Sequence, residues 1–200
     1  MRHFDYPVYL DLRGVPVLVV GAGPVAARKV AGLAAAGARV RVVAPSVSPA
    51  LDRALVDEVR ERPFEPADLD GVRLVVTATG SRDVDASVAA AATAAGLWVN
   101  AADQPDDCSF ILPAIARNGP LTVAVSTGGA SPALARRLRD RAAALLTDDV
   151  VALAEELAAE RARVRAAGGS TEDVDWSAAI DRVVPAAQSG PDPLRPDLSD

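Results

Sequence analysis

A glycine turn set between an apolar strand and an alanine-rich helix constrains this chain more than any other feature. Residues 15–20, Val-Pro-Val-Leu-Val-Val, form a short continuous apolar run. Such a run suits a parallel strand buried on both faces. It ends at Gly21-Ala22-Gly23, and Pro24 stands where a first helical residue belongs. Proline is tolerated there because its φ is already helical and the N–H it lacks would have no partner. Residues 25–36 read as a helix that Gly37 stops. Gly21, Gly23 and Ala26 match G-x-G-x-x-A in the strand–turn–helix setting that the pattern requires. The first glycine allows a tight turn, the second lets a pyrophosphate approach the backbone, and the small third residue lets helix lie on strand. The helix start offers free N–H groups and a positive dipole end to phosphates. A dinucleotide is therefore expected on Gly21 and Gly23; a purely structural turn in another doubly wound protein is the bland alternative.

The rest of the first half keeps the alternation. Residues 39–44 read as a strand, and Ser48-Pro49 opens a helix to about 56. Residues 59–64 form a more polar strand near a sheet edge, and 72–78 a buried strand. A helix over 81–95 is stopped by Gly96, and 97–100 is a further strand. The expected fold is α/β, a Rossmann-like doubly wound parallel sheet. After Asp103 the pattern changes. Residues 111–117 and 121–126 flank Asn118-Gly119, a strong hairpin-turn signal. Ser131-Pro132 reads as an N-cap and first residue of a helix to about 146, with Leu134, Leu138, Ala142 and Leu145 on one stripe. Asp148-Asp149 starts another to about 167, with Val150, Leu153, Leu157 and Val164 on its apolar side. These stripes pack either on the chain itself or on a partner helix. A short helix is expected over 176–184, then a disordered tail rich in Pro, Asp and Ser.

Composition removes several function classes. Apolar residues make up 50% and charged ones 24%, enough for a core, but with aromatics at 4% it must be built from Ala, Val and Leu. Cys108 is the only cysteine and His3 the only histidine. No intrachain disulfide, cysteine cage or multi-histidine metal site can form, so no metal ligands are expected. A hydrolase triad would need His3, in the terminal arm. The net charge of −6 argues against a nucleic-acid partner with a broad basic footprint. No apolar stretch reaches the roughly 18 residues of a membrane span. Residues 1–7 hold no apolar signal region, so a cytoplasmic protein with no membrane partner is expected.

The dinucleotide expectation can be refined. The acidic residue that usually grips the adenosine ribose about 20 positions on is missing; the second strand ends Val43-Ala44-Pro45-Ser46. Ser46 offers a hydroxyl to the ribose, and no arginine follows to hold a 2′-phosphate, which favours NAD over NADP. The loop Thr77-Ala78-Thr79-Gly80 either passes beside the nicotinamide ribose, bringing Thr79 to the cofactor, or is an ordinary strand-to-helix turn.

Three segments carry a resemblance. They are Tyr6-Pro-Val-Tyr-Leu-Asp-Leu-Arg13 with the glycine turn through Arg28-Lys29, then Asn100-Ala-Ala-Asp-Gln-Pro105 with Ser109-Phe-Ile-Leu-Pro113, and Ala124-Val-Ser-Thr-Gly-Gly-Ala-Ser-Pro-Ala-Leu-Ala-Arg136. In this order they resemble the N-terminal domain family of sirohaem synthase. The resemblance implies NAD-dependent oxidation of precorrin-2, a tetrapyrrole, to sirohydrochlorin. In some members ferrous iron is then inserted, iron being a substrate only. It also implies a homodimer with an NAD-binding domain (1–112), a hairpin-containing dimerisation region (113–146), a small helical domain (147–185) and the tail (186–200). Asp103 falls on the family's key aspartate. Pro24, Val25, Pro45 and Ser46 fall on positions that contact NAD. Two departures stand out: Ala22 in the glycine run, and Thr127 where some relatives have serine.

Chemistry leaves alternatives at each site. Asp103 is either the base that takes a proton as a hydride leaves the macrocycle or an Asx-type turn cap before Pro105. Ser126, Thr127, Gly128 and Gly129 form either an anion pocket for the substrate's carboxylates or a turn serving the Ser131 cap. Arg117, Arg136 and Arg137 either pair with those carboxylates or are solvated. Arg28 and Lys29 match the family yet can simply decorate a helix, and Cys108 reads as a small buried filler. A dimeric NAD-sensing domain without turnover is the competing function, but it has no need of the Asn-x-x-Asp-x-Pro loop. A reductase with a Tyr-x-x-x-Lys pair is excluded, because Lys29 is the only lysine.

Overall fold

The computed structural model describes residue 4 and residues 6–184; the expectations for His3 and for the tail over 186–200 lie outside them. Two compact units meet in sequence between Leu112 and Pro113.

The first unit is built on a five-stranded, all-parallel sheet in the order β3-β2-β1-β4-β5. The strands are β1 (Pro16–Val20), β2 (Arg39–Val43), β3 (Glu58–Arg60), β4 (Leu74–Thr77) and β5 (Trp98–Ala101). Alternate valines point to opposite faces, as strand geometry requires. Val17, Val19, Val40, Val42 and Val76 pack with Ala26 and Val30 of helix α1 (Pro24–Ala35). Leu18, Val20, Val75 and Val99 pack with Val88, Ala89 and Ala92 of helix α2 (Arg82–Ala94). Helices on both faces make the sheet doubly wound. From β1 the chain runs outward to β3, then crosses back to β4. The loops after β1 and β4 therefore diverge, and a crevice opens at the carboxyl ends of the strands.

Two expectations in this unit are corrected. Residues 48–56 are not a helix but a turn followed by a short 3-10 segment, Arg53–Leu55. The Ser48 hydroxyl accepts from the Ala50 N–H, and the Asp52 carboxylate from the Ala54 N–H. Such local bonds give the backbone an alternative to the helix ladder. The strand expected over 59–64 is only Glu58–Arg60, because Pro63 offers no N–H to a ladder.

At this edge Glu58 joins Arg41 at 2.6 Å and Arg60 at 2.7 Å, and Asp68 joins Arg60 at 2.6 Å and Arg62 at 2.7 Å. The Asp68 side chain has no solvent exposure. Burial alone would raise its pKa, but hydrogen bonds from Arg62, the Glu65 N–H and Arg60 outweigh it and lower the value from 3.8 to about 2. The folded carboxyl thus releases its proton more readily than the unfolded one. Its stabilisation is full above the unfolded value and is lost as pH falls through the folded one. The stability difference between the parent and Asp68→Asn, read from urea unfolding, should shrink by on the order of 2 kcal/mol between pH 5 and pH 2. A difference that stays constant would remove the network from the acid response.

The second unit begins with an antiparallel hairpin of β6 (Ala114–Asn118) and β7 (Leu121–Val125). The turn is one residue later than the sequence suggested. Asn118 pairs with Leu121, so the two turn residues are Gly119 and Pro120. Gly119 has φ +51°, a conformation natural to glycine at the first turn position, and Pro120 brings a fixed negative φ to the second. The Asn118 amide instead donates to the Leu146 carbonyl at 2.8 Å and to Asp148 at 3.1 Å, tying the hairpin to the corner between two helices. Those helices are α3 (Pro132–Ala143), capped by the Ser131 hydroxyl, and α4 (Asp148–Ala166), capped by that of Thr147. Helix α3 stops before 146 because the Leu145 and Leu146 N–H groups close tighter turns on Ala142 and Ala143. The expected last helix shortens to α5 (Ser177–Asp181). Leu153 of α4 is buried, whereas Leu134, Leu138 and Leu145 are exposed. Among the described residues no helix is long and apolar enough to cross a membrane.

Candidate functional site

The ends of β1 and β2 and the loop after β4 enclose a cleft of about 650 Å³. Gly21, Gly23, Pro45, Ser46 and Thr79 all line it, so five positions singled out from the sequence come together. Pro24 and Val25 stand exposed at the start of α1 rather than in the lining. The two glycines differ in kind. Gly21 has φ +107°, and a Cβ there would sit 2.4 Å from the Ala78 carbonyl oxygen; it is glycine because two backbones touch. Gly23 is extended at φ −78°, ψ −178°, and a Cβ there would meet nothing within 4 Å; the space over it is open. Ala22 has no positive φ, so alanine in place of the family's glycine is accommodated. Helix α1 starts with neither a side-chain cap nor an acidic residue in its first turn. Its free N–H groups and dipole suit a phosphate. The residues present therefore fit a dinucleotide.

The second-strand end is strapped to the glycine turn by the Ser48 N–H on the Ala22 carbonyl, 3.1 Å. Pro45 and Ser46 are exposed there. The neighbouring arginines are committed elsewhere: Arg60, paired in register with Val43, is held by Glu58 and Asp68, and Arg62 by Asp68.

The loop after β4 is shaped by Asp85, a residue that sequence reading passed over. Asp85 is 3% exposed. One carboxylate oxygen accepts from the Thr77 hydroxyl, from the Thr79 N–H at 3.0 Å and from the Thr79 hydroxyl at 2.9 Å. In sequence it looks like an ordinary acidic residue in a helix's first turn; only the threonines at 77 and 79 hint at its role. The Thr79 hydroxyl serves this network, so what the loop offers the cleft is its shape.

Beyond β5 the chain makes a turn closed by the Gln104 N–H on the Ala101 carbonyl, 3.3 Å. Asp103 is its third residue. Its φ is +59°, the only positive value outside glycine among the described residues. Its carboxylate is exposed and takes no hydrogen bond from them, which departs from the turn-cap alternative. The loop is pinned from behind. The buried Cys108 sulfur accepts from the Ala101 N–H at 3.2 Å and lies 3.2 Å and 3.3 Å from the Ala101 and Gln104 carbonyls. The Ser109 hydroxyl accepts from the Val99 N–H at 2.6 Å. Cys108 is thus a buried filler that also clasps the loop.

Lys29 is not a surface ornament on α1. It is half-buried, and its Nζ donates to Asn100 Oδ1 at 2.8 Å. Asn100, 6% exposed, is oriented by its own Nδ2 donating to the Phe110 carbonyl at 3.1 Å. Burial pushes the Lys29 ammonium below the usual lysine range, against the opposing influence of Cys108 and Asp103. The available signal was compositional: this is the one lysine.

Ser126, Thr127, Gly128 and Gly129 belong to the second unit, between β7 and α3. The Ser126 hydroxyl accepts from the Gly128 N–H at 3.1 Å, and that of Thr127 from the Ser131 N–H at 3.0 Å. Both glycines have positive φ. Thr127 thus supports the turn through a hydroxyl that serine also has. Arg117, Arg136 and Arg137 are exposed.

Known proteins bear on this geometry. Residues 8–114 match the family described as "Putative NAD(P)-binding", and residues 118–144 match "Sirohaem biosynthesis protein central". The chain is 47% identical over 168 residues to "Siroheme synthase" of Methylococcus capsulatus, covering 82% of this chain and 35% of that protein. It is 44% identical over 167 residues to "Siroheme synthase 1" of Aeromonas salmonicida, covering 81% and 36%. The chain thus spans about a third of the length of these curated relatives. Among solved structures it resembles "SirC, precorrin-2 dehydrogenase", with a TM-score of 0.64 and 28% identity, over 89% of this chain and 87% of that one. With a glycine turn whose residues fit a dinucleotide and a match that spans residues 8–114, the chain belongs to the family described as "Putative NAD(P)-binding", and its residues 118–144 are similar to the central region of sirohaem biosynthesis proteins.

Proposed function

We propose that this chain oxidises precorrin-2 to sirohydrochlorin with NAD, releasing NADH and one proton. The observation that carries the reading is the exposed carboxylate of Asp103. It is held in a left-handed turn after β5, at the same carboxyl end of the sheet as the dinucleotide cleft. A bound nicotinamide supplies the hydride acceptor. As the macrocycle becomes electron-poor its adjacent C–H turns acidic, and Asp103 accepts that proton. Gly21 and Gly23 let the pyrophosphate lie on the α1 start, and Pro24 and Val25 border it. Ser46 faces the adenosine ribose beside Pro45. The engagement of Arg60 and Arg62 with carboxylates leaves neither guanidinium for a 2′-phosphate, which supports NAD over NADP.

In the second unit, residues 126–129 are read as the backbone of a pocket for substrate carboxylates. Leu134 and Leu138, 49% and 40% exposed, are read as part of a homodimer face in a dimerisation region over 113–146, ahead of a small helical domain over 147–185. The setting is read as cytoplasmic. Where ferrous iron is inserted as a second substrate, the macrocycle supplies the ligands and Asp103 accepts the pyrrole protons.

The test is anaerobic incubation of the purified chain with precorrin-2 and NAD. Appearance of the sirohydrochlorin spectrum with matching NADH is expected, and adding ferrous iron to the same cuvette reads chelation. A dinucleotide-bound protein that leaves the precorrin-2 spectrum untouched would return the chain to an NAD-sensing role.

A further inference from the structure

Lys29 sits in the middle of α1, facing the sheet rather than solvent, with Nζ 2.8 Å from Asn100 Oδ1. Asn100 lies three residues before Asp103 and is fixed in orientation by the Phe110 carbonyl. An ammonium carries three N–H donors, and the asparagine takes one. Among the described residues no carboxylate lies within ion-pair distance of it; the ion pairs found there all belong to arginines. Asp103 and Cys108 act on this cation only from a longer range, and a half-buried charge with no carboxylate in contact is expensive for a fold, since such charges are ordinarily paired. The composition sharpens the point, since Lys29 is the one lysine among 21 basic residues. An ammonium is a compact point charge where a guanidinium is a wide planar fork, and this position is the one that carries it.

We infer that Lys29, steadied by Asn100, is an anchor for a carboxylate of the substrate, orienting a polycarboxylate ring toward Asp103. This rests on the dehydrogenase reading and assigns within it a residue that binds substrate from the first unit. An arriving carboxylate supplies a counter-charge in contact, which Asp103 does not, and uses the two remaining N–H groups. Burial, which holds the ammonium below the usual lysine range, makes that exchange more favourable than at an exposed lysine.

A chain with one lysine allows a direct test. Lysine labelled with ¹³C at Cε gives a single side-chain signal in the whole protein, whose pH titration reports the amine. Sirohydrochlorin, the polycarboxylate product, should move that signal and shift its titration midpoint upward, whereas NAD alone should not. Lys29→Met should raise KM for precorrin-2 about tenfold to a hundredfold, the usual size for a hydrogen bond to a charged group, with kcat and NAD affinity little changed. An unchanged KM, or a wild-type signal that answers NAD and not sirohydrochlorin, overturns the assignment; if the variant does not fold, the labelled wild type decides alone. A wild-type chain whose lysine responds to sirohydrochlorin but which never oxidises precorrin-2 would defeat the dehydrogenase reading and leave the anchor standing.

Discussion

Asp103→Asn is expected to fold like the parent, bind NAD with the same affinity, and oxidise precorrin-2 about a hundredfold to ten-thousandfold more slowly. That range is typical for removing a general base. Asparagine is the informative replacement because of the backbone. At φ +59°, an alanine would add strain of roughly 1 kcal/mol, and a slow Asp103→Ala enzyme would confuse a distorted turn with lost chemistry. Asparagine tolerates the left-handed region about as well as aspartate and preserves shape while removing the basic oxygen. Asp103→Gly completes the comparison, relaxing the turn and deleting the carboxylate. If all activity followed turn geometry, glycine would be the most active variant. If the carboxylate acts, asparagine and glycine fail together while both remain stable. Single-turnover oxidation, with NAD binding followed by fluorescence, separates the cases. An asparagine variant at the parental rate would end the assignment of Asp103 as base. The turn itself favours a chemical role: a position where glycine is easiest holds an acid that bonds to no described neighbour, and such strain is retained where a side chain is needed.

The sequence disclosed those parts of the fold that depend on short-range rules. Valine runs bounded by glycines announced buried parallel strands, and Ser131-Pro132 announced a helix start that the structure caps as expected. The cleft was legible because its key contacts are backbone contacts, and glycine is the one residue whose presence reports backbone geometry. Side chains that act across the fold were not legible. Asp85 gathers Thr77 and Thr79 from a neighbouring strand and loop. Lys29 meets Asn100 across 71 positions of chain. No local pattern encodes such meetings. The failures at 48–56 and at the hairpin have another origin. In each, a polar side chain read as a helix opener or turn former is bonded otherwise: Ser48 to the Ala50 N–H, with Asp52 holding the Ala54 N–H after it, and Asn118 to the α3–α4 corner.

Gly21→Ala and Gly23→Ala should fail in opposite ways. At Gly21 the new methyl would lie 2.4 Å from the Ala78 carbonyl oxygen, 2.7 Å from its carbon and 3.0 Å from the Thr79 nitrogen. All three are backbone atoms and cannot rotate away, and φ +107° adds strain of its own. Relief requires the loop after β4 to move, but the Thr79 N–H and hydroxyl are both bonded to Asp85, so the displacement would also loosen a buried carboxylate. Overpacking and backbone strain each typically cost 1–3 kcal/mol, so a stability loss of about 3 kcal/mol or more is expected in urea unfolding, with NAD binding lost alongside. At Gly23 the backbone is extended and the space above it open. Alanine there should change stability by no more than about 1 kcal/mol, the ordinary penalty for a poorer N-cap. It nevertheless occupies the place where a pyrophosphate must touch the chain, so NAD affinity should fall at least about tenfold, a loss of roughly 1.4 kcal/mol. The pair thus separates a glycine needed for packing from one needed for a ligand. A Gly23→Ala protein that binds NAD as tightly as the parent would place the dinucleotide elsewhere, and with it the reason for looking to Asp103 as the acid across the crevice.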